Sequence, residues 1–212
     1  MTLALDSLMS LAPVIPVLVI EEEADAVPLA QALAAGGIRA LEVTLRTPAA
    51  LGAILRIANE APEAVVGAGT VLNGRDLEAA ADVGARFIVS PGLTEGLAEA
   101  AAAARLPLLP GVATATDIMR GLDLGLSRFK FFPAESSGGP AAVAAFGGPF
   151  PGCRFCPTGG IGPEQAPRYL ALRNVACVGG SWLVPRDLVR AKEWRRIEDL
   201  ARAAAAFARA AD

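Results

Sequence analysis

Short apolar, β-rich runs alternate with alanine- and leucine-rich stretches through nearly the whole chain. Runs of this kind bounded by turn residues read as buried strands, and stretches with apolar residues at helical spacing read as amphipathic helices. The predicted strands are Val14 to Ile20, Ala40 to Leu45, Val65 to Ala68, Phe87 to Val89, Leu108 to Leu109, Phe129 to Phe132, Arg154 to Pro157 and Val175 to Val178. Between them, Thr47-Pro48 reads as a cap and first-turn pair ahead of the stripe Leu51, Ile54, Leu55 and Ala58. Asn73 and Thr94 are candidate caps of the next two helices, and Gly36-Gly37 and Gly84 punctuate helix ends.

About eight strand–helix units in roughly 200 residues match an α/β fold of the (β/α)8 TIM-barrel type, at the short end of its range. No linker or low-complexity tract divides the chain, so a single domain over 1–212 is expected. It carries an N-terminal extension over 1–12 and a last amphipathic helix over about 193–211. An open doubly wound sheet is the other architecture with this alternation. It lacks support because the first strand ends in Glu21-Glu22-Glu23 instead of a Gly-x-Gly-x-x-Gly turn.

Composition narrows the class. Hydrophobic residues make up 53% of the chain and charged ones 19%, which is globular and not disordered. A net charge of −3 offers no basic excess for nucleic acid. Asp6, Pro13 and Pro16 interrupt the apolar N-terminal stretch, so neither a signal peptide nor a membrane span is expected. Cys153 and Cys156, three apart on a predicted strand, point to opposite faces and cannot share a metal or a disulfide there. With no histidine and only one further cysteine, Cys177, a zinc site is not expected. A reduced, cytoplasmic protein is the simplest reading.

The chemistry begins with a lysine. The chain has seventeen arginines and two lysines, and Lys130 lies in the apolar run Arg128-Phe129-Lys130-Phe131-Phe132-Pro133. A lysine kept where arginine otherwise supplies positive charge suggests an amine that must lose its proton and act as a nucleophile. The structural alternative is an edge-strand lysine that snorkels into water. Lys192, in a charged stretch, reads as solvated helix surface.

In a (β/α)8 barrel the site forms at the C-terminal ends of the strands. Period-two alternation puts Leu41, Val43 and Leu45 on one face and Glu42, Thr44 and Arg46 on the other, which would point inward. If Phe129 and Phe131 meet the helices, Lys130 points inward towards Glu42 and Arg46. Glu42 and Arg46 can also be read as a plain internal ion pair. An inward lysine, carboxylate and arginine suit imine chemistry on a keto acid: Lys130 attacks the ketone, Glu42 moves protons and Arg46 holds a carboxylate. No metal or cofactor is needed in that scheme.

Thr158-Gly159-Gly160 and Gly179-Gly180-Ser181 close the seventh and eighth predicted strands, where phosphate commonly binds in this fold. Paired glycines let backbone N–H groups approach an anion, and a short helix beginning at Ser181 would add its dipole. Each pair is equally well a simple turn. Gly67-Ala68-Gly69-Thr70 can place a hydroxyl near a substrate carboxylate or serve only as a βα turn. Glu135 with Ser136-Ser137-Gly138-Gly139 reads as a mobile lid or a surface loop.

Taken together, Glu42-Val43-Thr44-Leu45-Arg46-Thr47, Gly67-Ala68-Gly69-Thr70-Val71-Leu72, Ser90-Pro91-Gly92, Phe129 to Glu135, Phe155 to Gly160 and Gly179 to Leu183 are a specific set. Over about Pro13 to Trp194 the chain resembles the bacterial 2-keto-3-deoxy-6-phosphogluconate aldolases of the Entner–Doudoroff pathway. The resemblance implies Lys130 as the Schiff-base lysine and Glu42 as general acid and base. It implies Arg46 and Thr70 on the pyruvate carboxylate, Thr158 and Phe132 lining that pocket, and Gly159, Gly160, Gly180 and Ser181 on the phosphate. It also implies a class I aldolase that assembles as a homotrimer, with 4-hydroxy-2-oxoglutarate as a further substrate. Thr47-Pro48 and the Ser136 to Gly139 segment depart locally from relatives. The 6-phosphogalactonate epimer as substrate, a phosphosugar isomerase or epimerase on the same barrel, and a catalytically silent binding protein that keeps the phosphate loops are the alternative functions.

Overall fold

Residues 4–207 are described by a computed structural model, in which the alternation of apolar and polar positions resolves into two packing layers. The strands are β1 (Val14–Leu18), β2 (Ala40–Thr44), β3 (Val65–Gly69), β4 (Ile88–Val89), β5 (Leu108–Leu109), β6 (Gly111–Val112), β7 (Arg128–Phe131), β8 (Arg154–Pro157) and β9 (Val178–Gly180). All their pairings are parallel. A six-stranded sheet runs β5-β4-β3-β2-β1-β9, and a three-stranded sheet runs β6-β7-β8. Isolated parallel bridges also join Phe155 to Val175 and Thr158 to Gly179.

The helices are α1 (Leu5–Ser10), α2 (Ala26–Ala35), α3 (Ala50–Glu60), α4 (Gly74–Asp82), α5 (Glu95–Ala104), α6 (Ala115–Asp123), α7 (Gly139–Phe146), α8 (Ala166–Leu170), α9 (Arg186–Arg190) and α10 (Trp194–Ala205). The larger apolar cluster combines strand residues such as Leu41, Val43, Phe129, Phe131 and Phe155 with helix residues such as Ile54, Ile57, Ile118 and Val143. A second, smaller cluster holds Ile15, Ala40, Phe87, Val89, Leu109, Cys156 and Cys177 together with Leu8 and Met9 of α1. This inner cluster draws on strands of both sheets, so the parallel sheet is curled around it. The fold is therefore α/β with a curled parallel sheet and helices outside.

Strand parity carries over directly. Leu41 and Val43 pack outward while Ala40 packs inward, and Phe129 and Phe131 pack outward as expected of a strand that aims Lys130 inward. Cys153 belongs to the outer cluster and Cys156 to the inner one, on opposite faces.

Several boundaries differ from the sequence expectation. The last strand is Val178–Gly180, because its ladder with β1 begins only where Val14 meets Val178; Val175 contributes just the bridge to Phe155. Thr47 does not cap a helix. Its hydroxyl donates to the Ile20 carbonyl, and α3 starts at Ala50 behind an Ala49 N-cap. Asn73 and Thr94 do cap α4 and α5, accepting from the N–H groups of Asp76 and Leu97. No helix begins at Ser181: residues 181–184 form a turn in which the Val184 N–H reaches the Ser181 carbonyl, and α9 follows only at Arg186. The C-terminal helix spans Trp194–Ala205, and positions 208–211 of the expected span lie outside the described residues. Residues 1–3 of the expected N-terminal extension also lie outside; within the rest, Leu5–Ser10 form α1, whose Leu8 and Met9 are buried. No helix among the described residues is long and apolar enough to cross a membrane.

Candidate functional site

Lys130 is the third residue of β7, and its register partners are Gly111 of β6 and Cys156 of β8. Its Nζ donates to Glu42 Oε1 at 3.1 Å, with the side chains 8% and 4% exposed. Buried charges persist when paired and hydrogen-bonded. The edge-strand, snorkelling alternative is thereby overturned. Glu42 pairs with the lysine and not with Arg46, so the plain Glu42–Arg46 ion pair is overturned as well.

Small residues make room for this pair. A Cβ on Gly69 would lie 2.3 Å from Glu42 Oε1, so only glycine at that position lets the carboxylate stay where it is. The Phe132 ring centroid lies 5.3 Å from Lys130 Nζ, within the range in which a ring face attracts a cation. Thr70 follows β3 with φ 58, a left-handed conformation that strains a β-branched residue. That conformation turns the chain at the end of β3, one residue past Gly69.

Thr158 lies two residues beyond Cys156 on the same parity, just past the end of β8, and is buried. Its hydroxyl donates to the Cys156 carbonyl at 3.3 Å. Across the bridge to Gly179, an added Cβ would meet Thr158 Oγ1 at 2.2 Å, which explains the glycine there. Gly159 and Gly160 have φ 106 and 78, conformations that other residues rarely adopt. Gly180 has a packing reason of its own, since a Cβ there would run into the Trp182 ring. Ser181 is exposed at the end of β9.

Arg46 lies in a turn beyond β2, which ends at Thr44, and its side chain is exposed. With Ser181 it lines a cavity of about 560 Å³ whose walls include Val17 and Val19 of the first strand and its continuation. The neighbouring cations are occupied. Arg190 and Arg186 pair with Glu21, and a hydrogen bond from Arg190 holds the Glu21 carboxyl below its ordinary value. Lys192 pairs with the buried Asp25, and that hydrogen bond raises the lysine's pKa. Among the described residues Arg46 has no ion-pair partner, which leaves it as the cation available to an anionic ligand at this wall.

Lys192 is thus not simply solvated helix surface. It sits between α9 and α10 with φ 56 and ties the chain to Asp25. Val17 and Val19, which share parity with Ile15, line this cavity although no site role was expected of them, as do Glu21 and Glu22 beyond β1. Glu135 is no free lid residue: the Tyr169 hydroxyl donates to its Oε1. The Pro91 and Gly111 turns touch, since a Cβ on Gly111 would lie 2.1 Å from the Pro91 carbonyl oxygen.

The structure thus brings Lys130 together with Glu42, and Arg46 together with Ser181 on the wall of a cavity whose lining includes neither Lys130, Glu42, Thr70, Thr158 nor the Gly159-Gly160 turn. The family model for KDPG and KHG aldolase matches residues 5–200. A 2-dehydro-3-deoxy-phosphogluconate aldolase of Zymomonas mobilis is 57% identical over 98% of both chains. The KDPG aldolase of Legionella pneumophila, solved with pyruvate captured as a covalent carbinolamine intermediate, superposes with a TM-score of 0.94 at 46% identity, covering 96% of this chain and 99% of that one. The 2-keto-3-deoxy-6-phosphogluconate aldolase of Z. mobilis, solved with 3-phosphoglycerate, superposes with a TM-score of 0.91 at 56% identity, covering 97% and 96%. With a family model spanning most of its length and relatives above half identity, the chain belongs to the KDPG and KHG aldolase family.

Proposed function

We propose that the protein is a class I aldolase that cleaves 2-dehydro-3-deoxy-6-phosphogluconate to pyruvate and D-glyceraldehyde 3-phosphate. The observation that carries this reading is the buried Lys130–Glu42 pair at 3.1 Å. The similarity to a relative solved as a pyruvate carbinolamine supports the same chemistry.

In the mechanism, Glu42 takes a proton from Lys130, and the neutral amine adds to the C2 ketone to form a carbinolamine. Returning the proton to the C2 hydroxyl lets water leave and gives a protonated imine. The Phe132 ring face, 5.3 Å from Nζ, favours that cation. Glu42 then removes the C4 hydroxyl proton. The C3–C4 bond breaks, its electron pair passes into the imine to leave an enamine, and glyceraldehyde 3-phosphate departs as the aldehyde. Protonation at C3 and hydrolysis of the imine release pyruvate and restore the amine.

Arg46 and Thr70 hold the C1 carboxylate in this scheme, with Thr158 and Phe132 against the pyruvate carbons. Gly159, Gly160, Gly180 and Ser181 receive the phosphate. We read the two sheets as one closed (β/α)8 barrel, with β5 and β6 as one strand interrupted at Pro110, which has no N–H to give; the isolated bridges Phe155–Val175 and Thr158–Gly179 support that reading. The same proposal includes one domain over 1–212 and a cytoplasmic homotrimer, for which sedimentation equilibrium gives the mass.

Borohydride reduction in the presence of pyruvate tests the central step. The expected result is a single adduct on Lys130 with loss of activity. An unlabelled Lys130, with activity surviving reduction, overturns the imine mechanism.

A further inference from the structure

Tyr169 lies outside the reacting site and is fully buried, yet its hydroxyl is aimed at an exposed carboxylate. It donates to Glu135 Oε1, and burial first and Glu135 second push its pKa well above the ordinary phenol value, so the phenol stays a donor. Glu135 in turn is fastened to the glycine turn after β8 in two ways. The Ala134 and Glu135 N–H groups donate to the carbonyls of Thr158 and Gly159 at 2.8 and 3.1 Å, and the Glu135 stem lies where a Cβ on Gly160 would be, 2.9 Å away. Tyr169 belongs to α8, which follows that turn in the chain. The hydroxyl therefore closes a triangle between the segment after β7, the turn after β8 and the helix that comes next.

We propose that Tyr169, acting through Glu135, is a positioning residue that sets the geometry of the Thr158-Gly159-Gly160 turn and thereby the affinity for the phosphorylated end of the substrate. This rests on the reading of Gly159 and Gly160 as phosphate donors. Glu135 is the intermediary because its backbone pairs with the turn and its side chain is held by Tyr169. The carboxylate repels a phosphate dianion, so its value to the site lies in where it places Gly160, not in its charge. Tyr169 touches neither Lys130 nor Glu42, and imine formation does not depend on it.

Two readouts separate positioning from mere structure: KM for 2-dehydro-3-deoxy-6-phosphogluconate, and the rate at which borohydride traps the pyruvate imine, pyruvate having no phosphate. Tyr169→Phe keeps the buried ring and is expected to raise KM roughly tenfold, the scale of one lost hydrogen bond, with the trapping rate unchanged. Glu135→Ala is expected to match it, the double variant to add nothing further, and Glu135→Gln, which still accepts from the phenol, to restore wild-type KM. A Tyr169→Phe enzyme with wild-type KM, one that loses phosphorylated-substrate activity and pyruvate trapping in equal proportion, or a failure of Gln to restore KM overturns the proposal. If the wild-type enzyme is not inhibited by inorganic phosphate but still traps pyruvate, the phosphate reading of the turn is wrong and the proposal falls with it. Absence of trapping in the wild type instead sinks the imine mechanism itself.

Discussion

Glu42 keeps its carboxylate beside Lys130 only because Gly69, one strand away, has no side chain: an added Cβ would come within 2.3 Å of Oε1. Gly69→Ala should therefore displace the acid and base without deleting it. We expect kcat to fall by about a hundredfold, the scale of a mispositioned proton-transfer group, with a much smaller change in KM. A stopped-flow trapping assay with pyruvate should show slowed imine formation; an unchanged rate would mean that the carboxylate moves freely at no cost to catalysis.

Removing either partner of the pair has distinct consequences. Lys130→Met deletes the nucleophile and should abolish trapping entirely, while leaving Glu42 buried without a cation. Breaking a buried pair of this kind costs roughly 3–5 kcal/mol unless the survivor takes up a proton. Glu42→Gln keeps the size and a hydrogen-bonding oxygen, so it should fold well and still form some adduct, with kcat reduced by roughly 100–10,000-fold. Thermal melts alongside single-turnover kinetics distinguish the two; equal loss of activity with equal Tm would contradict this division.

Asp117 supplies a pH-dependent contribution. Its carboxylate closes a capping box on α6, accepting from the N–H groups of Ala113 and Thr114 while the Thr114 hydroxyl accepts from Asp117. Burial opposes the charge, but these hydrogen bonds prevail and lower its pKa below the ordinary 3.8. A lowered folded-state value means that the stabilisation is complete above about 3.8 and is lost as pH falls through the folded value. Asp117→Ala should cost about 1 kcal/mol at neutral pH, and the Tm gap to wild type should close below pH 3.8. A gap independent of pH would show that the charge on Asp117 does not carry the loss, which propensity cannot explain because alanine is the better helix former.

The contact between α2 and α10 leaves no space at Gly36, where a Cβ would lie 2.5 Å from Ala201 Cβ and 2.6 Å from the Glu198 carbonyl oxygen. Gly36→Ala should push the C-terminal helix away and lower stability by about 1–3 kcal/mol while leaving pyruvate trapping intact. Equilibrium urea unfolding measures the loss.

What the sequence revealed followed from local rules of short period. Lys130 and Glu42 were legible because strand alternation and the strand-end rule both act over a few residues. Arg46 was legible as a residue type but not in its placement, because β2 ends at Thr44 and parity stops counting in a turn. Lys192 was misread because its partner, Asp25, is 167 residues away, and no spacing rule joins them. The pairing of Glu135 with Tyr169 escaped for the same reason at a separation of 34 residues. The helix expected at Ser181 failed because Gly-Gly-Ser signals a turn as readily as a helix start.

The apolar floor formed by Leu8, Met9 and their neighbours has a kinetic consequence. Cys156, the register partner of Lys130, already belongs to it, so close apolar packing begins directly beside the lysine. We expect traffic to and from Nζ to pass by the strand ends and not through that packing. Whatever carbon fragment stays covalently attached to Lys130 lies deepest, and the fragment released by bond cleavage lies nearer the exit. Departure is then a queue: the aldehyde leaves first, the keto acid last, and product inhibition should show that order.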